Sequence, residues 1–479
     1  MLRKILFLFF ILYTFSASAT ETPKYVFMFI GDGMAMPQIS SAESYSYALE
    51  GKGTGVERLS FTKYPYLGVM TTYDAGSLIT DSASAVTAMT TGNKTLNGVI
   101  NMDPGKKEHY VPFTYKLKEI GYKIGIISTV SLDHATPAGY YASVPSRGNM
   151  YNIGLQLAES GFDFFGGGGF VQRNGKEKDK KDLYDIFKER GFTVVTTKSA
   201  FTKLSPSAAK VVAINEVLQD ASAMPYDLDR ASADLSLADY TQKAIELLEN
   251  KKGFFLMIEG GKVDWACHAN DAAAAIHDTL ALDKAVQVAF KFYQKYPNDT
   301  LIIVTGDHET GGMGIGFAGT QYATFFDKVS KQKGSYIKFN SNILEPYKKS
   351  NPKGSLADLY VNIKDYFGYD VTSLTKDEQA QLELAFKNSM GSALENTSNE
   401  MLYLLYGGYE PLTVKLTQIM NQKAGIGWTS YAHTGVPVPV FAIGKGAQVF
   451  NGYYDNTDIF FKTVKILDIK GYDKKVVSK

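Results

Sequence analysis

Cysteine is nearly absent: Cys267 is the only one in 479 residues, so no disulfide can form within the chain. An excess of either charge is absent too, with 50 Lys and Arg against 49 Asp and Glu and a net charge of +1. No long basic run offers a stripe for a nucleic-acid backbone, so nothing points to that class of partner. Long apolar runs are also lacking beyond the amino terminus. There, Arg3 and Lys4 precede an apolar stretch from Ile5 to Phe15, broken by Tyr13 and Thr14, and Ala17-Ser18-Ala19 follows. The stretch is short of the roughly 20 residues that a spanning helix needs, so it reads as a cleaved secretion signal over residues 1–19 rather than a retained anchor. No cysteine near the cleavage point offers a site for a lipid. The working chain is therefore expected in the periplasm or outside the cell, free of the membrane after cleavage. Without disulfides it must rely on its core, on metals or on a partner chain.

What is present is ordinary for a soluble globular protein: 45% hydrophobic and 21% charged residues. Continuous apolar runs recur at Tyr25–Ile30, Lys123–Ser128, Gly253–Ile258, Thr300–Thr305 and Val440–Ile443. They do not alternate, as expected of strands buried on both faces of a mainly parallel sheet. Helical stretches lie between them, including Ser82–Met89, Pro112–Ile120, Asn152–Glu159, Leu235–Asn250 and a long one from about Trp265 to Tyr293. The βα alternation predicts a doubly wound α/β fold, a mostly parallel central sheet flanked by helices. Residues 20–310 and 426–479 form this core. The alternation breaks down over 311–425, a stretch rich in Lys, Tyr, Asn and Ser with helical pieces at Lys376–Asn388 and Ser398–Leu405. It reads as an inserted cap or crown.

Three strands end in carboxylates: Tyr25–Ile30 runs into Gly31-Asp32-Gly33, the run ending at Ile258 into Glu259-Gly260-Gly261, and the run ending at Thr305 into Gly306-Asp307-His308. Ligand sites in open α/β sheets form beyond the carboxyl ends of strands, so this edge is the candidate site. Asp264 and His268 stand at i and i+4, on one face of a helix, where they can chelate one ion. Read alone, that pair can equally be solvated neighbours, Asp307-His308 a capped helix start, and His433 a plain loop histidine.

Taken together, the motifs resemble the alkaline phosphatase family. They are Ile30-Gly-Asp-Gly-Met34, Thr80-Asp-Ser-Ala-Ser-Ala85, His134-Ala-Thr-Pro137 with Arg147, Ile258-Glu-Gly-Gly-Lys-Val-Asp264 with His268, Thr305-Gly-Asp-His308 and His433-Thr-Gly435. They follow the family's order and span Tyr25 to Gly444. The resemblance implies hydrolysis of phosphate monoesters through a phosphoserine on Ser82, with two Zn2+ and one Mg2+ per subunit, in a homodimer. It assigns Asp264, His268 and His433 to the first zinc, and Asp32, Asp307, His308 and Ser82 to the second. Asp32, Thr136 and Glu259 go to the third metal, and Arg147 to the phosphate. Imidazole with carboxylate suits zinc, and an all-oxygen set suits magnesium. Four ligand carboxylates against three divalent ions leave a positive site for an anionic substrate. A serine hydroxyl is a poor nucleophile, and Ser82 lacks the Gly-x-Ser-x-Gly elbow, so metal coordination is its expected activator.

Two positions depart from the best-known bacterial pattern. His134 stands where that pattern has Asp, and Trp265 where it has Lys; both are expected beside the ligands rather than among them. A neutral His134 reaches the third metal only through water, and Trp265 removes a cation, so looser phosphate and a looser third metal follow. Asp81 orients Arg147 or caps the helix. Cys267 is expected to be a buried thiol, His277 a packing or surface residue, and His109 fits no motif. The many Tyr and Phe are read as packing, and Gly166–Gly169 is not a P-loop. A phosphodiesterase or another hydrolase of the same superfamily is the alternative, but such enzymes often use Thr and lack the equivalent of Arg147. A sulfatase would need a Cys/Ser-x-Pro-x-Arg motif. A catalytically silent phosphate-binding protein would have no use for the full set of catalytic residues.

Overall fold

The computed structural model describes residues 22–51, 53–391 and 398–471, and the expected signal at 1–19 lies outside them. In chain order the strands are β1 Tyr25–Gly31, β2 Tyr66–Thr71, β3 Lys123–Ser128, β4 Phe164–Gly167, β5 Thr193–Val195, β6 Val211–Ile214, β7 Phe254–Gly260 and β8 Thr300–Gly306. Four short strands follow, β9 Glu309–Thr310, β10 Gly314–Ile315, β11 Ile426–Gly427 and β12 His433–Thr434, then β13 Val438–Gly444 and β14 Gly452–Asp455. Ten of them form one sheet, in the order β14-β2-β13-β8-β1-β7-β3-β4-β6-β5. Its pairs are parallel except those of β13, which runs antiparallel to β8 and β2. The doubly wound α/β expectation holds.

Strand β1 shows why its run had to be apolar throughout. Tyr25, Phe27 and Phe29 join one hydrophobic cluster, while Val26, Met28 and Ile30 join another on the opposite face. Alternate side chains leave opposite sides of a strand, and here both sides are covered. Helices Met36–Leu49, Leu237–Leu248 and Ala272–Lys295 cover the first face. Helices Ser82–Thr91, Phe113–Glu119, Met150–Glu159 and Thr457–Ile466 cover the second. A third cluster, from Phe339 to Met420, lies wholly within the inserted stretch. The two ends of that stretch meet in a small ribbon where Gly314 faces Gly427 and Ile315 faces Ile426.

Two readings need correction. The helix expected from Trp265 to Tyr293 is two helices, Lys262–His268 and Ala272–Lys295. Asn270 sits at φ 51° between them, a conformation that Asn tolerates better than most residues. Asp271 then caps the second helix by accepting from Ala274 N at 3.1 Å. The five apolar runs also account for only half of the sheet. β2 is partly exposed, and β4, β5, β6 and β14 are only three or four residues long, too short to stand out as strands even where, as in Val211–Ile214, they are wholly apolar. The Gly166–Gly169 stretch falls at the end of β4, and a Cβ at Gly167 would lie 1.9 Å from Ser128 O, so the glycine serves close strand packing.

Candidate active site

Register sets the site. Gly31 at the end of β1 pairs with Gly260 of β7 and with Gly306 of β8, so three strand ends are level. Ser128 of β3 pairs with Glu259 one row earlier, level with Ile30 and Thr305. The next residues of β1 and β8, Asp32 and Asp307-His308, leave the sheet side by side, and all three have no exposed side chain. Gly33 turns the chain at φ 69°, and a Cβ there would press on Thr310 Oγ1 at 2.7 Å and on Asp264. Helix Lys262–His268 then presents Asp264 and His268, and β12 presents His433.

These residues gather into three groups, in each of which one donor atom per residue lies within 4.8 Å of the others. The first is Asp264, His268 and His433. His268 Nδ1 bonds Tyr431 O at 2.5 Å and His433 Nδ1 bonds Thr80 O at 2.8 Å. A carbonyl accepts only, so each Nδ1 carries a proton and each Nε2 points into the group. The two Nε2 atoms approach to 3.1 Å, and they lie 3.3 and 3.5 Å from Asp264 Oδ1. Among the protein's own groups, one ring must hold a proton there. Burial opposes it, yet Asp264 brings His268 up to about 9, while burial keeps His433 below its ordinary value.

The second group is Asp32, Asp307 and His308. His308 Nε2 lies 3.3 Å from Asp32 Oδ1 and 3.4 Å from Asp307 Oδ2. Ser82 Oγ completes it, 3.3 Å from the same nitrogen and 3.5 Å from Asp32 Oδ2. The third group is Asp32, Glu259 and His134, with Thr136 Oγ1 3.5 Å from Asp32 Oδ2. Burial, together with the neighbouring carboxylates, pushes Glu259 up to about 8 and Asp307 up to about 7. Burial and the charges of Asp307, Asp264 and Glu259 also raise Asp32 well above the usual carboxylate range. Four polar atoms here, Asp32 Oδ1, Asp307 Oδ2, Glu259 Oε1 and His134 Nδ1, are buried with no hydrogen-bond partner among the described residues. Crowded, unsatisfied carboxylates of this kind are the setting that cations occupy.

Ser82 opens the helix Ser82–Thr91, as expected, and Asp81 fills both roles read for it. Its Oδ1 caps the helix at Ser84 N, 3.0 Å away, and its Oδ2 accepts from Arg147 Nη1 and from Gly98 N, each at 2.9 Å. Arg147 Nη2 reaches His134 Nε2 at 2.9 Å. A guanidinium can only donate, so Nε2 accepts and the proton of neutral His134 is on Nδ1. Burial and Arg147 hold that ring down to about 3.

Ser82, Arg147 and His134 open into a cavity of about 380 Å³ lined also by Trp265, Asp220, Tyr336 and Tyr409, and the Trp265 ring meets that of His134 edge-on at 5.9 Å. Of these, only Trp265 was singled out from sequence; the tyrosines were read as packing, and Tyr336 does lie in the core cluster with Tyr409 packed against it, although both also line the cavity. Lys262 was passed over inside its own motif. Its ammonium is fully buried, 2.5 Å from Asp220 Oδ1, 3.8 Å from the Tyr226 ring centre and 4.8 Å from that of Trp265. Its place between Gly-Gly and the ligand pair was the one signal available. Outside the site, burial raises the Cys267 thiol, His277 meets Tyr45 Oη at 3.1 Å, and His109 meets Ser143 Oγ at 2.7 Å.

The family model described as "Alkaline phosphatase" matches residues 23–163 and 164–469. Alkaline phosphatase 4 of Bacillus subtilis is 33% identical over 411 residues, which is 83% of this chain and 80% of that protein. The cold-active alkaline phosphatase of Shewanella sp. superposes with a TM-score of 0.74 at 28% identity, over 92% of this chain and 99% of that one. A substituted form of the enzyme from the Antarctic bacterium TAB5, with Mg bound in its M3 site, gives 0.63 at 26% identity over 94% and 99%.

Proposed function

The chain belongs to the alkaline phosphatase family and is a phosphatase, and from that premise we propose that it hydrolyses phosphate monoesters by way of a phosphoserine on Ser82. One observation carries the reading. Thr310 Oγ1 donates to Asp264 Oδ1 at 2.5 Å and so accepts from His308 Nδ1 at 3.3 Å, which leaves the lone pair on His308 Nε2; that lone pair, the Ser82 oxygen and two buried carboxylates converge within 3.5 Å, with no donor among them apart from the serine itself. A histidine acting as a simple base would not face two carboxylates on the same nitrogen. A shared cation resolves the crowding.

The residues fit metal ions, since Asp32 Oδ1, Asp307 Oδ2 and Glu259 Oε1 are buried acceptors without a hydrogen-bond partner among the described residues. Asp264, His268 and His433 would hold one Zn2+, and Asp32, Asp307, His308 and Ser82 a second. Asp32, Glu259 and Thr136 would hold Mg2+. His134 stands behind that third set, because its Nδ1 carries a proton and a protonated nitrogen is no ligand. Bound there, divalent ions supply the positive charge that favours a serine alkoxide and a departing oxygen.

The chain's own residues do the rest. Asp81 holds Arg147 so that its planar fork can take two non-bridging oxygens of the phosphate. The amides at the start of helix Ser82–Thr91 favour the negative charge gathering at Ser82. The Ser82 hydroxyl gives its proton to solvent and its oxygen bonds to phosphorus as the ester P–O bond breaks, and the alcohol leaves with a proton taken from solvent. Water then attacks phosphorus from the vacated side and gives up a proton to solvent, the Ser82 Oγ–P bond breaks, Ser82 recovers a proton from solvent, and phosphate departs. We place the mature enzyme in the periplasm or outside the cell, as a homodimer, on the amino-terminal pattern and the family resemblance. Residues 20–310 and 426–479 are taken as its catalytic core, with 311–425 as the inserted cap.

The test is p-nitrophenyl phosphate hydrolysis by the wild type and Ser82→Ala, each with and without a chelator. Ser82→Ala is expected to lose about a thousandfold or more in kcat, and chelation to abolish wild-type turnover until Zn2+ and Mg2+ are restored. Full activity in either arm would overturn the mechanism.

A further inference from the structure

One buried carboxylate beside the site has no part in the reaction proposed above. Glu309 follows His308 directly, opens β9 and has no exposed surface. Its Oε1 accepts from Gln38 Nε2 at 2.8 Å and from Met313 N at 3.1 Å. Its Oε2 accepts from Gly312 N at 3.1 Å and from the Thr434 hydroxyl. Four donors fill the four lone-pair directions of a carboxylate, so none is left for an ion. Gln38 is itself held in place, since its Oε1 accepts from Ala35 N at 3.0 Å, three residues after Asp32.

The bond to Thr434 is the one that reaches across the site. Thr434 stands 125 residues from Glu309, and β12 brings it there together with His433 after the inserted stretch. β9 and β12 pair over two residues only, Glu309 with Thr434 and Thr310 with His433. A ribbon that short is marginal by itself. Alternate side chains leave opposite faces of a strand, and the two faces here do different work. On the front, Thr310 Oγ1 donates to Asp264 Oδ1 at 2.5 Å, and His433 Nε2 lies 3.5 Å from the same oxygen. The His433 ring also stacks on that of His308, with centres 3.6 Å apart. On the back, Glu309 and Thr434 bond to each other. The back pair thus clamps the ribbon whose front presents His433 to Asp264.

We propose that Glu309 is a positioning residue: through Thr434 it holds His433 in the Asp264–His268–His433 group, so that this group's hold on zinc depends on a carboxylate that touches no ion. This rests on the metal assignment proposed above. The test loads wild type, Thr434→Val and Thr434→Ser with Zn2+ and Mg2+, then counts the zinc released to a chromophoric indicator as a competing chelator is raised. Val keeps the shape of Thr without the hydroxyl, and Ser keeps the hydroxyl. Thr434→Val is expected to give up one of its two zinc ions at about tenfold lower chelator concentration, and the other as the wild type does. Thr434→Ser is expected to match the wild type within about twofold. His433→Ala identifies the ion: it should loosen the same one, and adding Thr434→Val should loosen that ion no further. Unchanged release from Thr434→Val, both ions loosened alike, or Thr434→Ser as loose as Thr434→Val overturns the clamp. So does a further loosening in the double variant. Should Thr434→Val fail to fold, Glu309→Gln decides by the same count, because its amide sets an N–H against one of the four donors. One zinc loosened supports the clamp, and release as in the wild type overturns it. A wild type that binds no zinc sinks the metal assignment. A wild type that holds two ions, with a Thr434→Val that holds both as tightly, sinks the clamp alone.

Discussion

Lys262 carries its charge where water does not reach it, and its partners decide what that charge does. With Trp265 in place of a lysine, the sequence pointed to a site short of one cation. A cation is nevertheless present behind the Trp265 ring, paired with Asp220, whose side chain is 23% exposed. Removing one partner of a buried pair strands the other and is strongly destabilising. Lys262→Met is therefore expected to lower stability by about 2–3 kcal/mol in urea unfolding. It should also move Trp265 emission to longer wavelength, because the ammonium lies 4.8 Å from that ring. An unaltered urea midpoint together with unaltered emission would mean that the ammonium braces nothing. Ser82, Arg147 and the proposed metal ligands were legible because each sits in a short motif. Lys262 sits in one as well, but its role depends on Asp220, 42 residues away in sequence.

Between the helices Lys262–His268 and Ala272–Lys295, the break at Asp271 ties the core to the inserted stretch. Asp271 Oδ1 accepts from Ala274 N and from Gln332 Nε2 at 2.8 Å, while Oδ2 accepts from Tyr336 N at 2.8 Å. Asp271→Asn would turn a donor toward one of these donors and is expected to destabilise the protein by about 1–3 kcal/mol. Burial pushes this carboxyl up to about 6, against about 3.9 for an unfolded chain. The folded protein thus binds this proton more tightly than the unfolded one does. Its contribution to stability is fully present below about pH 4 and is lost as pH rises through about 6. Urea unfolding between pH 4 and 7 should show that slope in the wild type and a shallower one in Asp271→Asn. Equal slopes would assign the pH dependence to other groups. Apolar periodicity runs straight through this break, since Ala266, Cys267 and Ala272–Ala275 are all buried. The register of β1 against β7 and β8 was likewise not readable, because strand pairing depends on partners more than 200 residues apart.

Across the whole molecule, the three acidic groups join the ends of β1, β7 and β8 to two helices and to β12. Four buried carboxylates held together repel one another, so ions bound among them would stabilise the fold as well as serve the reaction. Each ion present at a hundred times its Kd adds about 2.7 kcal/mol. Chelation is expected to lower Tm in the wild type and in Ser82→Ala alike, with recovery on adding Zn2+ and Mg2+. A Tm indifferent to chelator would show that the groups hold their shape without ions. No helix of the described residues is long and apolar enough to cross a membrane. The inserted stretch keeps its own hydrophobic cluster yet sends Tyr336 and Tyr409 back to the cavity over Ser82.

By itself the sequence determined the chemistry at the strand ends and the class of the fold, because both are written in contiguous residues: an apolar run, a glycine turn, then a carboxylate. It placed Ser82 at a helix start for the same reason. Only the tertiary structure decided which proton His134 carries, where the charge of Lys262 acts and which tyrosines face the cavity. Those depend on contacts between segments far apart in the chain, such as Arg147 with His134 or Lys262 with Tyr226. Packing brings such pairs together, and no local pattern of residues records it.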